Sequence, residues 1–519
     1  MVLDTTVMNV AISQVVADLD TTISTVQAAI TMYALVMAAF MLTGSRMGDL
    51  WGRRRTLGIG LLIYGLGSGI TAITPNVTVL FIGWSFIEGF GAVLVIPALA
   101  TLVVANYSGA QRALAYGILA GAMGAGAGLG PLIGGFATTE LSWRYVFAGE
   151  VVVVLFVLLF LRKIGDAPRA ERKPTMDFVG AALSAVGLGL AVFGILKTSE
   201  WGWIIPSGAL EIGGTEITPF GLSVVPFMVV GGLGILWAFF RWESRLVRLG
   251  RDPLVDPAVL KIGQLRSGLG MMGTQQTILA GVFFVLPVYL QVVVGLDALE
   301  TGIRLLPLSL ALILASGIGG RLGARIAPRT IVTTGVAILL VGIGVLFATI
   351  DPELNGTWFA IAMLLAGAGV GLSLSQVGNV IMSSVGSDEA NAASGLQGTS
   401  QNLGSSLGTA LIGSVLLLGL TYGVETRVAT DEQISPAARV EILDAGQTGY
   451  DIVSIPQAEK ALTDAGLSPQ DVDRATELYG EAQLQGLRIA LFVAALLAII
   501  ALPVARRLPA EPLAPSTAS

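Results

Sequence analysis

Gly44-Ser45-Arg46-Met47-Gly48-Asp49-Leu50-Trp51-Gly52-Arg53-Arg54-Arg55 joins two apolar runs, 25–46 and 56–74, each long enough to cross a ~30 Å hydrocarbon layer as a helix. Its glycines permit a tight turn, and an acid stands beside a basic group. The charges either latch one part of the molecule against another, helped by helix-end dipoles, or serve as a plain positive anchor. Sliding the chain along itself sets Gly44 on Gly320, Asp49 on Arg325, Gly52 on Pro328 and Arg53 on Arg329, again between two apolar runs. A weaker match sets Gly126 and Gly130 on Gly404 and Gly408. Two homologous halves follow, and parallel halves of this kind place a substrate site at their interface near the bilayer midplane.

Composition agrees with a membrane chain. Of 519 residues, 54% are hydrophobic and 12% charged, about half the charge of a soluble protein. The 67 glycines lie in apolar sequence, which suits close helix packing in lipid. With no Cys and no His, thiol nucleophiles, disulfides, His metal sites and the usual serine triads are excluded. No metal or other cofactor is implied, and proton chemistry falls to carboxylates held in low dielectric. A net charge of −6 gives no case for nucleic acid as a partner.

Fourteen spans are expected, near 1–17, 25–46, 56–74, 78–104, 113–138, 143–161, 178–197, 221–240, 268–294, 300–320, 330–350, 357–384, 392–422 and 487–505. The fold class is therefore all-α: a six-helix bundle over 1–161, a linker region with two extra helices over 162–265, a second six-helix bundle over 266–505 and a tail over 506–519. With both termini cytoplasmic, 21 of the 29 Lys and Arg residues fall inside and 8 outside, as the positive-inside rule requires. A loop over 424–487 holds 12 of the 35 acids and reads as a solvated outer cap, with short surface helices near 456–482. Asp18 marks the outer end of the first helix, so Met1 lies only about 25 Å below it. No basic anchor precedes it, and a natural start further upstream is expected.

Three acids fall well inside spans, where an ionised carboxylate costs about 2.5–3.5 kcal/mol. Asp4, in Leu3-Asp4-Thr5-Thr6-Val7-Met8-Asn9-Val10-Ala11, is either functional or an interfacial acid. Glu88 sits near mid-membrane in the fourth helix and either exchanges protons or stays protonated between helices. Glu150, about 10 Å from the outer face at ~1.5 Å per residue, is a second protonatable group or a vestibule acid. In the fifth helix Gly126, Gly130 and Gly134 form one small-residue face, extended by Gly135 and bent by Pro131. Asn9, Gln275, Gln276, Gln376 and Gln401, with Gln291, Asn379 and Asn402, either line a cavity or tie helices together.

In this order the segments resemble the fourteen-helix drug:proton antiporters of the major facilitator superfamily, over essentially the whole chain. Leu3 to Ala11 is similar to that family's first-helix acid motif, Gly44 to Arg55 to its cytoplasmic gating loop, and Gly126 to Gly135 to its antiporter motif. Trp143-Arg144-Tyr145-Val146-Phe147 and Leu286-Pro287-Val288-Tyr289-Leu290-Gln291 also match. The resemblance implies alternating access, with small hydrophobic or cationic compounds expelled across the plasma membrane by a monomer as protons enter. Asp4 would be the coupling acid, Asp49, Arg53 and Arg54 with Gly44 and Gly52 the inner gate, and Gly126 to Gly135 the exporter's bend. The chain departs from the family at Ser85, where an Arg is usual, at Glu88, where a Gln is usual, and at Glu150, where an Asn is usual. Export of one endogenous metabolite or lipid, or a sensor that transports nothing, would look the same in sequence; a membrane enzyme would lack every usual catalytic group.

Overall fold

A computed structural model of the chain describes residues 2–106, 126, 129–165, 175–206, 210–212, 215–385, 390–446 and 450–512. Among these, eleven helices are long and apolar enough to cross a membrane, and each falls on one of the expected spans. The first, third and fifth expected spans account for the difference from fourteen. The first is broken into α1 (Val2–Val10) and α2 (Ile12–Leu19). The third is the helix α4 (Arg53–Ala72), diluted by its opening arginines and its glycines. Most of the fifth lies outside the described residues, which retain its last part, α7 (129–140).

The break in the first span has a physical explanation. Ala11 (φ −84°, ψ 6°) interrupts the ladder while its own N–H still bonds Val7 O at 2.7 Å. The two backbone groups freed at the jog, Ser13 N–H and Val10 C=O, are taken by the amide of Gln291 from the second half: Ser13 N donates to Gln291 Oε1 at 3.3 Å, and Gln291 Nε2 donates to Val10 O. Inside a membrane a helix can be broken only where such a neighbour re-satisfies it.

The opening stretch is more helical than a loop. Helix α3 (Ile23–Trp51) runs through the charged residues, and Gly52 alone connects it to α4. At φ +91° and ψ 141° that residue adopts a backbone conformation open to glycine and few others. Apolarity ends where the lipid ends, whereas a helix continues as long as its backbone bonds are met. The same reasoning corrects the 424–487 loop. Helix α16 (Ala390–Thr430) and helix α19 (Pro469–Ala505) both overrun their apolar parts, and the short helices α17 (Pro436–Ala445) and α18 (Ile455–Asp464) sit between them. Arg474 pairs with Asp431 at 2.6 Å and Arg427 with Glu481 at 3.1 Å, so the cap is a built structure.

The remaining N-terminal elements are α5 (Val77–Leu80), a π-helical stretch Phe81–Glu88, α6 (Gly89–Asn106) and α8 (Arg144–Phe160). The inserted pair is α9 (Phe178–Leu196) and α11 (Val225–Arg248). Between them lie a single turn, α10 (Thr198–Trp201), and a two-stranded antiparallel hairpin, Leu210–Ile212 with Thr215–Ile217, a small departure from an all-helical chain. Helix α9 packs on both halves: Leu188, Val192 and Leu196 meet Leu35 of α3 and Ala410 of α16. The second half comprises α12 (Gly263–Val288), α13 (Ala298–Leu322), α14 (Pro328–Thr349) and α15 (Gly356–Met382) with α16 and α19. One large core of buried apolar side chains runs through both halves, while Leu62, Leu66, Val152, Phe156 and Leu159 face outward, as lipid contact permits.

Candidate functional site: three carboxylates between four elements

The three intramembrane acids converge. Asp4 on α1, Glu88 at the end of the π-helical stretch and Glu150 on α8 each place a carboxylate oxygen within 4.8 Å of the other two. Close packing of α4 brings them in. A Cβ at Gly67 would strike the backbone of Glu88, and one at Gly91 the backbone of Tyr64, so small residues let these helices touch. A π-helical turn carries an extra residue relative to an α-helical one; here that stretch delivers Glu88 to α4 and Trp84 to Tyr33.

Hydroxyls bind the acids into a chain. Tyr33 OH donates to Asp4 Oδ2 at 3.0 Å, and Tyr64 OH lies 2.8 Å from Glu150 Oε2 and 3.3 Å from Asp4 Oδ2. Ser68 Oγ lies 2.8 Å from Glu88 Oε2 and 3.3 Å from Glu150 Oε2. Asp4 and Glu88 are fully buried. An aromatic wall closes the site: Tyr33 stacks on Trp84 at 5.0 Å, and Trp84 meets Phe147 edge-on at 6.4 Å. Three carboxylates this close in a low-dielectric bundle repel one another when ionised, and a shared proton relieves that repulsion. Glu88 Oε1 is buried without a hydrogen-bond partner among the described residues, a natural place for one. The geometry would also admit a cation, but the hydroxyls already aim their protons at the lone pairs a cation needs. This set suits protons better.

The other predicted residues fall at two further places. At the gate, Arg53 is buried, donates to Ser45 O at 3.2 Å and lies over Gly48. Gly44 rests against the backbone of Val93, Arg54 donates to Ile164 O at 3.3 Å, and Arg46 lies 3.9 Å from Asp252 beyond α11. Asp49 is on α3, its side chain outside what is described. On α7, a Cβ at Gly130 would strike Thr6 and one at Gly134 would strike Val7, both next to Asp4 along α1. Gly135 abuts Ala298, and Gly302 abuts Pro131, across the seam to α13. Gly126 is described only by its place in the helix.

The uncharged polar residues are dispersed. Asn9 Nδ2 donates to Thr5 O at 2.8 Å and leaves Oδ1 buried without a partner among the described residues. Gln275 donates to Val370 O at 3.2 Å and Gln376 to Gly319 O at 2.7 Å, so both tie helices within the second half. Gln276 is buried beside Gly404, and Gln401 is half-buried on α16. Between the halves run Gln27 Nε2 to Thr409 O at 2.9 Å and Ser406 Oγ to Thr31 O at 3.0 Å. Sequence reading missed Tyr33, Tyr64, Ser68 and Gln27. It also missed Glu243, which is buried on α11 and accepts from Val255 N at 3.3 Å; it stands just past the expected span, among bases, so it reads as a surface residue.

The profile described as the Major Facilitator Superfamily matches residues 1–409. A puromycin resistance protein of Streptomyces alboniger is 30% identical over 92% of this chain and 90% of its own length. A tetracenomycin C resistance and export protein of Streptomyces glaucescens is 26% identical, covering 97% and 88%. The multidrug efflux pump LfrA of Mycolicibacterium smegmatis is 25% identical, covering 93% and 92%. Among solved structures, a bacterial homolog of the human lysosomal transporter Spinster, inward-facing and unoccupied, superposes with a TM-score of 0.59 at 14% identity over 99% of this chain and 97% of that one. A D-xylose-proton symporter gives 0.54 at 14% identity over 80% and 87%.

Proposed function

The chain belongs to the major facilitator superfamily of membrane transport proteins, and from that premise we propose that it expels small hydrophobic or cationic compounds, antibiotics and dyes among them, in exchange for protons. The observation that carries this reading is the convergence of Asp4, Glu88 and Glu150 within 4.8 Å. A group that shares a proton when closed off can release it when a rearrangement opens it to water. Asp4 is the residue through which release couples to movement. It shares α1 with Thr6 and Val7, on which the glycine face of α7 rests, while α7 in turn abuts α13 of the other half. Loss of a proton and a shift of α1 are thereby mechanically joined to the seam between halves.

The working orientation has both termini cytoplasmic, the gate at Gly44 to Arg54 facing the cytoplasm and the acidic cap outside, in the plasma membrane, with the monomer as the working unit. The proton gradient supplies the energy and no other cofactor is needed. The test is drug or dye uptake into inverted vesicles under an imposed proton gradient. The native chain accumulates substrate only with the gradient, and Asp4→Asn abolishes accumulation. Glu88→Gln changes the proton dependence or the preference for cations. Accumulation that ignores the gradient removes the antiport reading, and unchanged transport by Glu88→Gln removes any special role for that acid. A narrower reading, export of one endogenous antibiotic, is favoured by relatives named for a single compound, puromycin and tetracenomycin C; a substrate panel in the same vesicles separates the two.

A further inference from the structure

A cleft of about 590 Å³ lies between the inserted helix α9 and helices α12, α16 and α19 of the second half. None of Asp4, Glu88 and Glu150 lines it, nor do Gln275, Gln276, Gln376 and Gln401. Its walls include Ile195, Leu269, Leu403, Leu407, Leu497 and Ile500. The hydroxyls that reach it are already spent on backbone carbonyls: Thr274 on Gly270 O at 2.8 Å, Thr277 on Gly273 O at 2.9 Å and Ser400 on Leu269 O at 2.7 Å. Along its length the cleft therefore recognises only apolar surface. It extends on α12 from Arg266 to Thr277 and on α16 from Ser400 to Leu411. Each run is about 16 Å at 1.5 Å per residue, or roughly half the hydrocarbon thickness. That is the depth of one leaflet.

One end of the cleft is basic. Arg266 lines it and is exposed, Lys261 precedes it by little more than a helical turn, and neither side chain has a hydrogen bond or ion pair among the described residues. Helix α19 ends beside the same mouth: Val504 lies 3.7 Å from a Cβ built at Gly270, and Arg506 and Arg507 follow it, both exposed. An apolar channel one leaflet deep with exposed cations at one end fits one kind of occupant. We propose that this cleft is a binding site for an anionic phospholipid, its acyl chain between α9, α12 and α16 and its phosphate on Arg266 and the neighbouring bases. The site is distinct from the proton-handling acids. A lipid seated there fills the gap between an inserted helix and the second half, so that the two move as one body.

The experiment compares phosphatidylglycerol with phosphatidylcholine of identical chains on the purified full-length protein, reading lipid retained in native mass spectrometry and the rise in thermal midpoint on lipid addition. The native chain retains phosphatidylglycerol preferentially and gains more stability from it. Arg266→Gln removes the preference between headgroups and leaves a residual, headgroup-blind binding. Gly270→Leu, at a position whose Cβ makes only ordinary contact with Val504, fills the channel and loses retention of both lipids. Equal retention of the two lipids by the native chain overturns the proposal, as does native-like preference in both variants. Displacement of the lipid by a transported compound, with slowed export of that compound by Gly270→Leu, overturns it by making the cleft a substrate route.

Discussion

Tyr64 shows how much a single hydroxyl can organise: it reaches both Glu150 and Asp4, at 2.8 and 3.3 Å, while Ser68 one turn along α4 reaches Glu88 and Glu150. Tyr64→Phe keeps the ring packed against Gly91 and withdraws only the donor. Leaving buried acceptors short of a donor costs about 1–3 kcal/mol. We expect Tyr64→Phe to fold, to keep substrate binding and to slow proton-driven export by roughly 10-fold, the rate equivalent of ~1.4 kcal/mol, measured in vesicles under a fixed gradient. A native rate in that variant would show that the chain of hydroxyls is not on the proton route. The three acids were legible in the sequence because charge within an apolar run is conspicuous. Their meeting was not, since nothing in a linear sequence records that Gly67 and Gly91 draw α4 onto the π-helical stretch. Tyr33, Tyr64 and Ser68 were illegible for a related reason: hydroxyls are common in membrane helices, where most simply bond their own backbone, as Thr71 does to Gly67 O at 2.8 Å.

At the scale of elements, the jog between α1 and α2 depends on a residue of the other half. Gln291→Leu removes both partners of the backbone groups freed at Val10 and Ser13. With ~1–3 kcal/mol for each buried group left unsatisfied, the variant should unfold at a lower temperature and lose transport more than Gln291→Glu, which keeps an acceptor for Ser13. The thermal midpoint of the purified protein checks this. The cap offers a pH-dependent contact. Asp451 accepts from Ser24 Oγ at 3.0 Å, at the N-terminal turn of α3, and burial, reinforced by the nearby Glu200, pushes its carboxyl above the ordinary Asp range, with the Ser24 bond opposing. A group raised in the docked state stabilises docking below its free pKa, and that contribution is lost as pH rises through the docked value. Docking of the cap onto α3 should therefore tighten as pH falls through the carboxylate range. Asp451→Asn should show the acidic behaviour already at neutral pH, read as slower amide exchange at the start of α3. Helix order and the inserted pair were legible in glycines and apolar periods. Helix ends were not, because α3, α16 and α19 continue past their apolar stretches on backbone bonds that hydropathy does not see.

For the whole molecule, alternating access requires that contacts between the halves part and re-form once per cycle. One end of the seam is closed where α7 meets α13: Leu299 N donates to Thr139 Oγ1 at 3.1 Å, Gly135 abuts Ala298, and Gly302 abuts Pro131. Nothing bulky separates these backbones, so the contact is either whole or absent, and it can be locked covalently. The chain contains no cysteine, which makes an introduced pair unambiguous. Thr139→Cys with Leu299→Cys puts one cysteine on each side of the contact in which Leu299 N meets Thr139 Oγ1, and oxidation tests whether the pair closes. Under oxidation the closed seam should be trapped, and export should stop; reduction should restore it, while either single variant transports under both conditions. Proton binding distinguishes this from simple damage. If the seam must open for the carboxylates to exchange protons with the far side, the oxidised pair should also abolish substrate-induced proton release in proteoliposomes, and reduction should return both together. Export that continues with the disulfide fully formed would mean that α7 and α13 stay in contact throughout the cycle. The glycine face of α7 would then be a fixed bearing, and the movement would have to run along the α3 and α16 seam, where Gln27 and Ser406 hold the halves.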